Sequence, residues 1–206
     1  METFNKTRPR VGVIGGAFNP IHFGHLLTAE AARVEFDLDQ VIFMPWGQSP
    51  SKPEESEAGP EERYAMTVIA TAPNPYFSVS RLEIDRPGPS YTIDTLKQLH
   101  QGLKDVADVY FIAGADAVLE ILTWKDPAGL AGFCEFIAAT RPGFELDQLQ
   151  ELIEKNPALP KVCGLEIPAL AISATDIRER VRRTSPIRYL LPDAVVDYIN
   201  KTGFYK

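Results

Sequence analysis

A change of periodicity between residues 10 and 36 constrains this chain more than anything else in it. Arg10 to Ile14 is a short β-branched run that stops at Gly15-Gly16, and from about His25 to Glu35 the positions Leu26, Ala29, Val34 and Phe36 return at helical spacing. The order is strand, glycine turn, helix. It is then repeated. A second strand is expected at Val41 to Met44, and Pro45 to about Pro60 opens a Pro- and Ser-rich segment that reads as a mobile loop. Helices are expected over Glu61 to Ala72 and from about Thr92 to His100, with the alternating stretch Phe77 to Ser80 between them. Val109 to Ala113 and Phe136 to Ala139 are continuous apolar runs, as in strands covered on both faces.

Helices at about Glu145 to Lys155, Thr175 to Arg183 and Asp193 to Lys201 complete the pattern. With 206 residues, 45% of them hydrophobic, the chain can bury one core. No repeat or long linker divides it. The expectation is a single α/β domain on a doubly wound, mostly parallel sheet with helices on both faces, whose loops after residues 14, 44, 113 and 139 converge at the ligand side.

The formal charge of −7 argues against a surface that grips a nucleic acid polymer, while a small anion remains within reach of a local basic cluster. Cys134 and Cys163 stand apart, with no C-x-x-C, so neither a disulfide framework nor a zinc site is expected. No run approaches the ~20 apolar residues that cross a bilayer, and no leader pattern opens the chain, which points to a cytoplasmic protein with no membrane partner.

Chemistry concentrates in two places. Gly15-Gly16-Ala17-Phe18-Asn19-Pro20-Ile21-His22-Phe23-Gly24-His25 brings two glycines and two histidines to a helix start, where backbone N–H groups and the helix field favour a polyanion. His22 and His25, three apart, can face one ligand. A transition metal would need a third ligand, and His100 falls in a distant helix, so no protein-held metal is expected. Gly12-x-x-Gly15-Gly16 does not fit G-x-G-x-x-G, and Met44-Pro45 ends the second strand without a ribose-binding acid, which disfavours a redox dinucleotide enzyme. The second place is Ile172-Ser173-Ala174-Thr175-Asp176-Ile177-Arg178. Ser173-x-x-Asp176 has capping form, and Arg178 and Arg182 lie four apart on one helical face, a second anion site.

Together, His22-x-Gly-His25 and Ile172-Ser-x-Thr-x-x-Arg178 resemble the HxGH nucleotidyltransferases. With Tyr91-Thr92-Ile-Asp94-Thr95, Gly114-Ala115-Asp116, Trp124, Thr140-Arg141-Pro-Gly and Arg188-Tyr-Leu-Leu-Pro, nearly the whole chain is similar to the bacterial nicotinate mononucleotide adenylyltransferases, and the Ser-Gly-Gln-like loop with Phe77-Ser-Val-Ser-Arg81 resembles actinobacterial members in particular. The resemblance implies a Rossmann-like fold and transfer of the adenylyl group of MgATP to nicotinate mononucleotide, as a step of NAD biosynthesis. It implies His22, His25 and Arg178 as catalytic residues. Gly15, Gly16, Ala17, Phe18, Gly114, Asp116, Ile172 and Ser173 would meet ATP, the part from about residue 173 completing that site. Tyr91, Thr92, Trp124, Lys52 and Arg141 would hold the mononucleotide, and Mg²⁺ would ride on the ATP phosphates. A homo-oligomer is compatible with all of this.

Single residues keep their alternatives at this stage. Trp124 reads equally as core, Asp116 as the cap of a short helix, and Lys52 as loop charge. The chain departs from the family's usual residues at Ala17, Asn19, Ser51 and Ala174, and each lost hydroxyl contact to phosphate removes about 1 kcal/mol. Rival readings are the same transfer to nicotinamide mononucleotide or a pantetheine phosphate, a non-catalytic nucleotide-binding module, and a metal-dependent hydrolase.

Overall fold

A computed structural model describes residues 8–49, 57–103, 106–140, 147–168 and 170–206. The β-branched run becomes β1 (Arg10–Gly16), followed by β2 (Gln40–Pro45), β3 (Phe77–Val79), β4 (Asp108–Gly114), β5 (Glu135–Thr140) and β6 (Val162–Glu166). These form one sheet in the order β3-β2-β1-β4-β5-β6, and every pairing is parallel. The chain begins at the centre, builds outward to β3, and then returns to place β4 on the other side of β1. That reversal opens a crevice beyond the carboxyl ends of β1 and β4.

Neighbouring residues on the central strands point to opposite faces, and each face has its own core. Ile14, Phe43, Ile112 and Ile137 pack with Phe18, Ile21, Met66, Ile177 and Ile199 on one side. Val13, Met44, Phe111 and Phe136 pack with Ile93, Leu96, Val118 and Leu149 on the other. This two-sided burial is why those strands read as unbroken apolar runs.

The helices are α1 (Phe23–Glu35), α2 (Pro60–Thr71), α3 (Thr92–Leu103), α4 (Ala115–Leu119), α5 (Asp147–Lys155), α6 (Ala174–Arg182) and α7 (Asp193–Thr202). Apart from α4, for which no bounds were expected, they match the expected elements to within three residues at the ends they share with the described chain. Three further elements were not expected. β6 is an edge strand in which only Leu165 is buried, so its sequence carries neither alternation nor an apolar run. Short 3-10 turns at Ile121–Thr123 and Ala128–Gly132 join α4 to β5. The expected loop at 45–60 falls partly on residues 50–56, and the start of the expected helix at 145 falls on residues 145 and 146, all outside the described residues. Among the described residues no helix is long and apolar enough to cross a membrane.

Candidate active site

The loops after β1, β2, β4 and β5 do converge, around two adjoining cavities. The first, about 680 Å³, lies between the start of α1, the β4–α4 turn and the start of α6, and includes His22, His25, Asp116, Thr140, Ile172 and Ser173 in its wall. The second, about 570 Å³, is walled by Trp46, Glu83, Tyr91, Thr92, Trp124 and Lys125. Gly15, Ala113 and Gly114 border both, so the cavities meet at the β1/β4 crevice.

His22 is the N-cap of α1, with extended backbone, and with His25 it takes the form of a capping box. The His25 half closes: the His22 backbone N–H donates to His25 Nδ1 at 3.2 Å. An accepting Nδ1 puts the proton of neutral His25 on Nε2. The His22 half does not reach hydrogen-bond geometry, and His22 Nδ1 is left buried without a partner among the described residues. The two rings stack with centroids 3.7 Å apart and planes at 25°, and Phe18 packs edge-on against His25 at 5.1 Å. Gly24 makes the stack fit, because a Cβ there would lie 3.0 Å from Cε1 and Nδ1 of His22.

Burial lowers the pKa of His22 from 6.5 to about 4, and burial with the charge of His22 lowers that of His25 to about 3. Both imidazoles are therefore neutral near pH 7 in the free protein.

Ser173 caps α6 as its spacing implied, its Oγ accepting the Asp176 N–H at 3.1 Å. Ile172, Ser173 and Ala174 face the same cavity as the histidines. Arg178 sits beside that cavity rather than in its wall: its guanidinium donates to the Asn19 carbonyl at 2.8 Å and to Thr175 Oγ1 at 3.1 Å. The expected Arg178/Arg182 face is split, since Arg182 pairs with Glu57. The unusual residue Asn19 has a use here, its Oδ1 accepting a 2.5 Å hydrogen bond from the hydroxyl of buried Tyr205.

Gly114 rather than Asp116 is the N-cap of α4, and Asp116 stands exposed in the first-turn wall of the first cavity. The capping alternative for Asp116 is thereby set aside. Trp124 is half-buried, meeting Phe111 and Phe136 at 6.2 and 6.0 Å while bordering the second cavity, so it is both core and wall. Lys52 and Arg141 lie outside the described residues.

Three side chains at the site went unread in the sequence. Lys125 places Nζ 4.6 Å over the Tyr91 ring and 2.8 Å from Asp94, and among the described residues it is the one basic side chain in the second cavity's wall. Its only sequence signal is adjacency to Trp124. Glu83 is buried in the same wall, accepts from Thr95 Oγ1 at 2.5 Å, and has its carboxyl pKa raised by burial. Arg63, in the charged run Glu61-Glu62-Arg63, is 1% exposed, a burial that no sequence pattern announces. Among the described residues no three His, Cys, Asp or Glu side chains gather to hold a metal ion.

A cytidylyltransferase-like family model matches residues 13–180. A Moorella thermoacetica protein named "Probable nicotinate-nucleotide adenylyltransferase" is 55% identical over 97% of this chain and 94% of its own. A protein of the same name from Leifsonia xyli subsp. xyli is 49% identical over 100% of this chain and 98% of its own. Among solved structures, the Plasmodium falciparum nicotinic acid mononucleotide adenylyltransferase complexed with NaAD superposes with a TM-score of 0.79 at 21% identity, covering 96% of this chain and 98% of that one. That likeness confirms the fold, and the sequence relatives confirm the resemblance: the chain belongs to the cytidylyltransferase-like family and, within it, to the nicotinate-nucleotide adenylyltransferases.

Proposed function

We propose that this protein transfers the adenylyl group of MgATP to nicotinate mononucleotide, forming nicotinate adenine dinucleotide and pyrophosphate. The observation that carries the reading is the pair of cavities that meet at Gly15 and Gly114, with the stacked histidines in the wall of one and Trp124 in the wall of the other. ATP occupies the first and the mononucleotide the second. The acceptor phosphate oxygen then attacks the α-phosphorus at their junction, and the bond to the pyrophosphate oxygen breaks.

The acceptor phosphate is largely ionised at neutral pH, so neither an enzymic nucleophile nor a strong base is required. The work left to the protein is to align two anions and to meet charge as it moves onto pyrophosphate. His25, protonated on Nε2 by the hydrogen bond to its Nδ1, is a donor for a phosphate oxygen. His22, Gly15, Gly16, Ser173 and the N–H groups opening α6 line the same path, and the part from residue 173 onward completes the ATP side. Arg178 holds the loop at Asn19 and reaches the phosphates from there. Asp116 meets the adenosine ribose. Trp124 stacks on the pyridine ring and Tyr91 and Thr92 lie near its carboxylate, with Lys52 and Arg141 as further cationic contacts.

Mg²⁺ would be brought in on the ATP phosphates, where it would supply neutralisation of their charge. The reaction belongs to the cytoplasm. A second reading, transfer to nicotinamide mononucleotide, is favoured only by Glu83 and Glu120 in the acceptor wall, which oppose a carboxylate where Lys125 attracts it.

Mass spectrometry of products from ATP, Mg²⁺ and an equimolar mixture of both mononucleotides tests the proposal. The acid dinucleotide and pyrophosphate are expected in excess. Hydrolysis of ATP without either acceptor, or no turnover at all, would refute it.

A further inference from the structure

The largest fully buried side chain in the described molecule is an arginine. Arg63 projects from the first turn of α2 into the floor between two loops. Its Nη1 donates to the carbonyl of Ala17, in the β1–α1 loop, at 2.8 Å. Its Nη2 donates to the carbonyls of Trp46 and Gly47, just beyond β2, at 2.9 and 3.2 Å. The first of these loops leads from Gly15 to His22 along the ATP side, whereas Trp46 belongs to the wall of the acceptor cavity.

Two further observations give the contact a direction. The Trp46 N–H donates to the Gly16 carbonyl at 3.1 Å, so the loops already touch at one backbone point. Gly47 is packed closely against the Glu83 backbone, because a Cβ on it would lie 2.4 Å from the Glu83 carbonyl. The segment at Trp46 and Gly47 is therefore held by Arg63, by the Gly16 carbonyl and by close packing on Glu83. Desolvating a guanidinium is expensive, and a well-packed apolar side chain would hold α2 at least as well. What an apolar side chain lacks is a planar fork whose two ends can reach different loops at once.

We propose that Arg63 is a positioning residue that binds the ATP-side loop and the acceptor-side loop into one unit, so that a nucleotide seated on the first is felt at Trp46 in the wall of the second. The inference rests on the proposed function only in placing ATP in the first cavity. It requires no particular acceptor.

The chain has two tryptophans, Trp46 and Trp124, so Trp124→Phe leaves Trp46 as sole reporter. In that background, saturation with a non-hydrolysable ATP analogue and Mg²⁺ is expected to change Trp46 emission. R63K keeps the charge but offers one compact donor group in place of the fork, and R63M removes both. In each, the emission change at saturation should fall at least 3-fold, while calorimetry still detects the analogue binding.

An undiminished response in either folded variant overturns the proposal, as does a silent Trp46 in the Arg63 protein when the analogue binds. If neither variant folds, hydrogen exchange on the unaltered protein decides. The analogue must then slow exchange at residues 46–48 as well as 15–19, and slowing confined to 15–19 overturns the link. Absence of any binding heat in the Arg63 protein is a different failure, since it removes the nucleotide reading and the inference with it.

Discussion

The imidazoles of His22 and His25 stack 3.7 Å apart, and the backbone N–H of one residue donates to Nδ1 of the other. Two protonated rings at that distance would repel, and burial already disfavours the charge on each. The pair is thus neutral in the free protein, and on the proposed reading it meets the phosphates of ATP. Phosphate oxygens beside the rings should raise the pKa of at least one of them, and an NMR titration of both imidazoles with and without MgATP measures it. Two unmoved pKa values would sink the assigned role.

The same pair makes stability depend on pH. Because folding lowers both pKa values below 6.5, the unfolded chain takes up protons first as the solution is acidified. The contribution is whole above pH 6.5 and is lost as pH falls from there toward and below the folded values. For His22, a shift from 6.5 to about 4 corresponds to about 3 kcal/mol at most. Urea unfolding at pH 7 and pH 5 should show a larger loss for the unaltered protein than for His22→Gln. Equal losses would assign the acid sensitivity elsewhere.

His25→Ala and Arg178→Ala are each expected to lower turnover by about 100-fold or more, the usual effect of removing one preorganised donor. Arg178 also secures the Asn19 carbonyl, so its variant should raise the KM for ATP as well. Steady-state kinetics on folded protein checks both, and near-normal rates would remove these residues from the mechanism.

Gly24→Ala sets helix propensity against the histidine stack. Alanine favours a helix by up to about 1 kcal/mol over glycine, yet the added methyl would lie 3.0 Å from the His22 ring. The variant should keep its melting temperature within a few degrees and lose turnover about 10-fold or more, because the ring has to shift. An unchanged rate would mean that ring placement is not critical.

Lys125→Met is expected to lower the ratio of kcat/KM for the acid mononucleotide to that for the amide by about 2- to 5-fold, the range of a solvent-exposed ion pair. The ratio cancels any general loss of activity. No change would leave acid preference to the backbone donors at the start of α3.

Much of this was legible before any coordinates. The glycine turn and both histidines stand where a strand period gives way to a helical one, and Ser173 caps α6 as its spacing implies. What escaped depends on contacts far apart in sequence. Arg178 and Arg182 share a face by spacing, yet Asn19 draws one of them and Glu57 the other. Arg63 resembles any helical surface charge until the β1–α1 and β2 loops close over it. Strand β6 buries a single residue and so leaves no apolar signature.

The junction of the two cavities at Gly15 and Gly114 also bears on inhibitor design. A single compound spanning both sites should run from one cavity into the other past Gly15, Ala113 and Gly114. Joining the halves then saves one of two association entropies.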